Sequence, residues 1–422
     1  MGAEPGQAPP RLWPLASALV VLAAGLPLLL YWAAIGRSPS VSPDEARQFI
    51  AAPGSQTMLV DAREPAERAA QPLPEAAPWP ASAILVMRSA ADVPAPFQNR
   101  PLLLLCSGGV TSALAVQRLE QLGLTQAANI RGGYQSWIAT APAAAWQPTT
   151  RPEQLALVVA VAPIKLIYML LALGLMVVLW GAAEAPLAAL RWSMLFFLAG
   201  ELCCGINIIA FNEESLSLEF WHSWGMVVSV GCLAYAVVEA LDHGLIHYSD
   251  PRVRCAFAKV CQGCAKVQAV PCLVLRLFRW SVPLLAIVAA MPLAAQPAAV
   301  GYNTAIFGIT RNLMHPVIIQ LYEDRFVPMA AMVLLGAAWL LLWAGAGGLR
   351  LSKVFLAAGL GHLSFAFMRL TLLAYFQNDL VWFVFWEEAT ELMLVSTLVF
   401  GVWVVRPDQV KRAAARLPAL AG

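Results

Sequence analysis

The chain has 422 residues, of which 60% are hydrophobic and 12% charged. An ordinary soluble protein carries about a quarter charged residues, so the composition excludes a simple water-soluble globule. A net charge of +2 with no long basic stretch excludes nucleic-acid binding.

The apolar excess is uneven. Residues 40–150 have the mixed composition of a globular segment, with Asp, Glu, Arg, Gln and Pro throughout. The rest falls into runs of about twenty apolar residues, the length that crosses a hydrocarbon core of about 30 Å. Eight spans are predicted, near 12–35, 155–180, 187–211, 219–241, 272–295, 326–346, 352–376 and 382–405. The first reads as an uncleaved anchor. Its apolar run is longer than a signal peptide needs, and Trp32 stands where cleavage after Ala34 would require a small residue.

Basic residues orient the spans. Arg252, Arg254, Lys259 and Lys266 lie between spans four and five, Arg350 and Lys353 between six and seven. Arg406, Lys411, Arg412 and Arg416 follow span eight. The alternate loops are poor in bases, with Glu213 and Glu214 in one and Asp379 in another. This pattern predicts an inner-membrane protein with both termini cytoplasmic and residues 40–150 facing outward, the periplasm of a Gram-negative cell.

Within that outward segment, Ser42-Pro43-Asp44-Glu45 opens a helix. Met58-Leu59-Val60 is a short buried strand ending at Asp61, and Pro101–Leu105 is an apolar strand ending at Cys106. The loop Ser107-Gly108-Gly109-Val110-Thr111 follows, then a helical stretch from Ser112 to Leu119. A thiol at the junction of strand, tight loop and helix faces loop N–H groups and the positive end of a helix dipole. Both favour the thiolate, the form that attacks sulfur. Cys106 is the only one of eight cysteines in this segment, so it has no internal disulfide partner there.

Three segments here resemble the rhodanese family. Asp61-Ala62-Arg63-Glu64-Pro65-Ala66-Glu67 is similar to its Asp-x-Arg-x-x-x-Glu segment. Cys106 to Ser112 is similar to its active-site loop and the helix that follows, and Gly132-Gly133-Tyr134-Gln135-Ser136-Trp137 to its Gly-Gly-x-x-x-Trp segment. The resemblance implies an α/β domain with a parallel sheet flanked by helices. Cys106 would be the nucleophile, and Ser107, Gly108, Gly109, Val110, Thr111 and Ser112 the loop cradling a persulfide. The family's Gly-His-Ile-Pro-Gly segment is missing, replaced by the Pro/Ala-rich stretch Pro72–Ala83. Ser107 and Thr111 stand where many members have bases. That uncharged loop is closer to the mercaptopyruvate type than to one suited to thiosulfate.

In the membrane part, Cys255, Cys261, Cys264 and Cys272 lie in a cytoplasmic loop, just after His243 and His247. Four thiols can ligate zinc or an iron–sulfur cluster; a redox or sulfur-relay dithiol and no role at all are the alternatives. Lys165, Glu201, Glu239, His362, Arg369, Glu387, Glu388 and Glu391 fall at membrane depth, where ionisable groups pair internally or line a pathway. Glu387 and Glu391 are expected on one helix face, neutralised by Arg369 or His362. Cys203 and Cys204 sit near Glu201. His222 and His362 differ in depth, which argues against a bis-histidine haem. The loop 297–325, with Tyr302, Asn303, Arg311, Asn312 and His315, is expected to fold over the outer mouth.

The expected organisation is an N-terminal anchor (1–37), the α/β domain (38–150), and an all-α bundle of about seven helices (151–406). The bundle carries the cysteine loop (242–272) and ends in a cytoplasmic tail (407–422). With the resemblance, this reads as a membrane-bound sulfurtransferase passing sulfur from a small sulfur-containing substrate to an acceptor, a protein among the candidates. A transporter or membrane redox subunit with the α/β domain as delivery module is the alternative. A sensor or assembly factor with an inactive domain is a third. The lipid bilayer is the one partner that composition alone dictates.

Overall fold

The computed structural model describes residues 13–140, 147–211, 215–242, 273–295, 302–313, 315–376 and 379–411. Five parallel strands form the sheet of the first domain: β1 (Ser40–Val41), β2 (Met58–Asp61), β3 (Ala77–Pro78), β4 (Leu102–Leu105) and β5 (Ala127–Ile130). Their order is β1-β5-β4-β2-β3, which places β4 at the centre. A parallel sheet needs both faces covered, and the run of four leucines in β4 serves both. Leu102 and Leu104 enter one core with Val60, Val116 and Leu119. Leu103 and Leu105 enter the other with Leu59, Ile130 and Trp137.

The helix after β1 begins where the sequence predicts. Ser42 caps α1 (Pro43–Ala51), accepting from Glu45 N at 3.2 Å while the Glu45 carboxylate accepts from Ser42 N at 2.6 Å. The helix after the cysteine loop runs from Val110 to Gln121, starting earlier and ending later than the apolar pattern alone indicates.

Among the described residues, eight helices are long and apolar enough to cross a membrane. They are Trp13–Gly36, Arg151–Val178, Ala185–Phe211, Leu216–Leu241, Leu275–Ala294, Val317–Leu341, Gly348–Phe376 and Leu380–Val405, called spans one to eight. Spans four and seven pack backbone to backbone: a Cβ on Gly361 would lie 2.5 Å from the Gly231 Cα. Span one breaks at Gly25. Pro27 has no N–H to give the Ala23 carbonyl four residues earlier, and His362 Nε2 takes up that oxygen at 3.1 Å.

Span six departs from expectation. It starts at Val317, nine residues earlier than the predicted 326, so the loop 297–325 is shorter than read. The charged run Glu323-Asp324-Arg325 looks like loop sequence, but it forms a π-turn within the helix, and Glu323 and Asp324 are buried. Glu323 is paired there with Arg369, while the Asp324 carboxyl oxygens have no hydrogen-bond partner.

A small sheet lies at the end of the bundle nearest the α/β domain. The segment β6 (Gln147–Pro148) pairs parallel with β7 (Tyr302–Ile306), which pairs antiparallel with β8 (Ile309–Leu313). Tyr302 packs with Leu372, Leu380 and Val381, where spans seven and eight meet. At the far end, Lys353 of span seven pairs with Glu239 of span four and with Asp242 at 3.0 Å.

Candidate functional site

Cys106 follows β4 directly and is 6% exposed. Three donors surround its Sγ: Gly109 N at 3.2 Å, Ser112 N at 3.3 Å and Ser112 Oγ at 3.2 Å. Ser112 Oγ also accepts from Cys106 N at 3.1 Å and lies 2.7 Å from Asn129 Oδ1. A hydroxyl has one proton, so Asn129 and the sulfur compete for it. Two backbone donors and one switchable hydroxyl stabilise negative charge on sulfur.

The Gly-Gly pair is the floor of this loop. Gly133 has φ +59°, and a Cβ there would lie 2.1 Å from the Cys106 carbonyl and 2.5 Å from Gly109 N. Only glycine meets both demands. Tyr134 N then donates to Cys106 O at 2.7 Å and Gln135 N to Ser107 O at 3.2 Å. The other quoted segment holds the flank. Arg63 pairs with Asp61 at 2.9 and 2.6 Å and stacks on the Tyr134 ring at 3.8 Å. Glu67 accepts from Ser107 Oγ at 2.5 Å. The three segments that carry the resemblance thus converge on one loop.

Above the loop stands the membrane part. A Cβ on Gly108 would meet Leu321 of span six at 3.0 Å, and one on Gly132 would meet Val317 at 3.5 Å. Ala113 shares a buried apolar cluster with Ile318, Ile319 and Tyr322, and Val110 packs against it. Gln117 and Ser38 tie the same helix to the end of span one, Gln117 Nε2 donating to Ala34 O at 3.0 Å.

Two residues past Leu321 the chain enters an ionic network. Glu323 accepts from Ser223 Oγ at 2.5 Å and pairs with Arg369 Nε at 2.9 Å; Arg369 also pairs with Glu387. His315 Nε2 stands 3.6 Å from Glu323. Deeper in the bundle, Lys165 reaches Glu201 at 2.5 Å, Glu388 at 2.7 Å and Tyr168 at 2.9 Å. A cavity of about 30 Å³ joins the two groups, lined by Cys204, His222, His315, Arg369, Glu387 and Glu388 among others.

Several expected pairings are redistributed. Arg369 neutralises Glu387, but His362 takes no part, since it bonds Ala358 O at 2.8 Å and Ala23 O. Glu391 is buried among the Glu201, Glu388 and Glu387 carboxyls and the Lys165 ammonium, forms no ion pair with Arg369 among the described residues, and its Oε2 has no hydrogen-bond partner. Glu239 belongs to the far-end pair with Lys353. His222 Nδ1 meets Gly200 O at 3.1 Å, away from His362. Cys204 lines the cavity and Cys203 does not. Cys255, Cys261, Cys264 and Cys272, with His243 and His247, lie outside the described residues. Glu201, Cys204 and Glu388 come within 4.8 Å of one another, a metal-like grouping, but the Lys165 ammonium already bridges the two carboxylates. Tyr168, Glu219, Ser223 and Glu323 were not picked out from the sequence. Glu323 and Asp324 flanked by apolar residues were the signal available.

The rhodanese-like domain family matches residues 42–140. No curated protein matches the chain. A solved structure from Rhodopseudomonas palustris, a protein of unknown function described as a possible tyrosine phosphatase, is 20% identical. That similarity covers 32% of this chain and 94% of the other, with a TM-score of 0.22.

His315 sits at the mouth of the network. Burial disfavours its charged form, but the neighbouring Glu323 carboxylate outweighs this and holds its pKa above the ordinary 6.5. A raised folded value means the stabilisation is complete below 6.5 and is lost as pH rises through the folded value. The purified full-length protein should therefore melt at higher temperature than His315→Gln in mildly acidic buffer, and the gap should close in alkaline buffer. Parallel melting curves across that range would contradict the pairing.

Proposed function

Because residues 42–140 form a rhodanese-like domain, we propose that the chain is a membrane-bound sulfurtransferase with Cys106 as its sulfur carrier. The supporting observation is the ring of Gly109 N, Ser112 N and Ser112 Oγ around Sγ at the start of a helix. The Cys106 thiolate attacks the outer sulfur of a donor R–S–S⁻. A new S–S bond forms, the donor's S–S bond breaks, and its electron pair leaves with R–S⁻; with a mercaptan such as mercaptopyruvate the C–S bond breaks instead, and its pair leaves as the pyruvate enolate. An acceptor thiolate then attacks the outer sulfur of the Cys106 persulfide and returns an electron pair to Sγ. No external oxidant or reductant is consumed. Loop donors hold the negative charge at each stage, while Ser107 and Thr111 add no cation to favour a dianion such as thiosulfate.

The domain faces outward, the periplasm of a Gram-negative cell, and the termini face the cytoplasm. The basic loops of the sequence support this orientation. A second reading, in which the spans carry a sulfur species onward, is favoured by the cavity containing Cys204 so near the domain side of the bundle.

Two measurements follow. Full-length protein offered polysulfide, mercaptopyruvate or thiosulfate should gain the mass of one sulfur atom on Cys106, and Cys106→Ser should gain none. Ser112→Ala should slow transfer about tenfold, the worth of one hydrogen bond to a charged group. Absence of persulfide with every donor would sink the sulfurtransferase reading. For orientation, a Ser55→Cys change in a Cys106→Ser background should react with an impermeant maleimide on intact cells. A Lys411→Cys change should react only after permeabilisation; the reverse pattern would invert the topology.

A further inference from the structure

Lys165 and Tyr168 of span two, Glu201 of span three and Glu388 of span eight form a closed group inside the bundle, and all four side chains are buried. Its hydrogen bonds can be counted. The Lys165 ammonium has three protons, and all three are used: on Glu201 Oε2, Glu388 Oε1 and Tyr168 Oη. Tyr168 has one proton, yet its oxygen contacts both Glu201 Oε2 and Glu388 Oε2, the latter at 2.5 Å. If both carboxyls were ionised, one of these contacts would join two acceptors with no hydrogen between them.

The count closes if one of the two carboxyls holds a proton, and the oxygen geometry selects Glu388. We propose that Glu388 holds a proton on Oε2 and donates it to Tyr168, and that this proton exchanges through the adjoining cavity. Glu388 divides its oxygens as a carboxylic acid does. Oε1 accepts from the ammonium, and Oε2 faces the tyrosine. Glu201 instead presents a single oxygen, Oε2, to both Lys165 and Tyr168, which suits an ionised double acceptor. Tyr168 then accepts twice and donates once, the full capacity of a hydroxyl.

The surroundings agree. On its own helix Glu388 is flanked by Glu387 and Glu391; across from it stand Lys165, Glu201 and Cys204. Through the cavity it faces Glu219, His222, His315 and Arg369. Carboxylates outnumber the permanent cations Lys165 and Arg369, and Glu391 Oε2 and Glu201 Oε1 have no hydrogen-bond partner. Uncompensated charge is costly at membrane depth, and a proton removes it. The cavity of about 30 Å³ has room for a water, and His315 brings it to the domain side. The ligand of this site is thus a proton delivered by water, the requirement for a membrane activity coupled to proton movement. It does not depend on sulfur transfer at Cys106.

Infrared spectroscopy of the full-length protein in lipid at neutral pH tests this. The wild-type minus Glu388→Gln difference should contain the C=O stretch of a protonated carboxyl, and that band should shift in D₂O. Glutamine keeps the neutral shape and can donate to Tyr168, so the variant should fold. Tyr168→Phe removes the acceptor and should move the band without abolishing it. No carboxylic-acid band in the difference, a band indifferent to D₂O, or one unmoved by Tyr168→Phe would overturn the proposal.

Discussion

Gly108 has no side chain, and the isobutyl group of Leu321 occupies the space beside it. Gly133 lies under the same loop, where any Cβ would run into the Cys106 carbonyl. The sulfur-bearing loop is therefore held between two close approaches, one from its own domain and one from the membrane bundle. This contact explains why Cys106 is nearly inaccessible although its domain lies outside the spans. It also sets the order of the parts beyond it, because Leu321 is two residues from Glu323 and the ionic network. A movement of span six at Val317–Phe326 would reach the thiol and the Arg369 pairs together.

Hydrocarbon governs the other half of the molecule. Buried charges there must find partners or protons, and the described bundle holds three ionic groups, two of them joined by a cavity on the domain side and one at the far end. The Lys353 group at the far end is closed by two carboxylates. The two nearer the domain are looser, with a cavity and orphaned carboxyl oxygens.

Much of the α/β domain was legible because its signals are local. A capping box starts α1, four leucines make a strand buried on both faces, and a glycine-rich turn ends it at Cys106. The roles of Asp61, Glu67 and the Gly132-Gly133 pair could be placed only by resemblance, since they act by meeting the loop from distant strands. The membrane part was legible as lengths but not as pairings. Hydrophobic runs locate spans; they carry no information on which carboxylate meets which cation. Glu387 pairs with Arg369 while Glu391, on the same helix face, forms no described ion pair with it, because the partner helix decides such contacts. Span six reads short in the sequence for a related reason: Glu323 and Arg325 look solvated until Arg369 is seen to meet Glu323 and the carbonyl oxygens of Pro292 and Ala295 to accept from Arg325.

The most direct measurement addresses the contact between loop and span. Full-length protein carrying Gly108→Cys and Leu321→Cys in a Cys106→Ser background is treated with a mild oxidant, and the linkage is read by mass spectrometry. A disulfide between positions 108 and 321 is the predicted result, as their side chains would meet at bonding range. Two thiols that both alkylate freely but never link to each other would contradict the account.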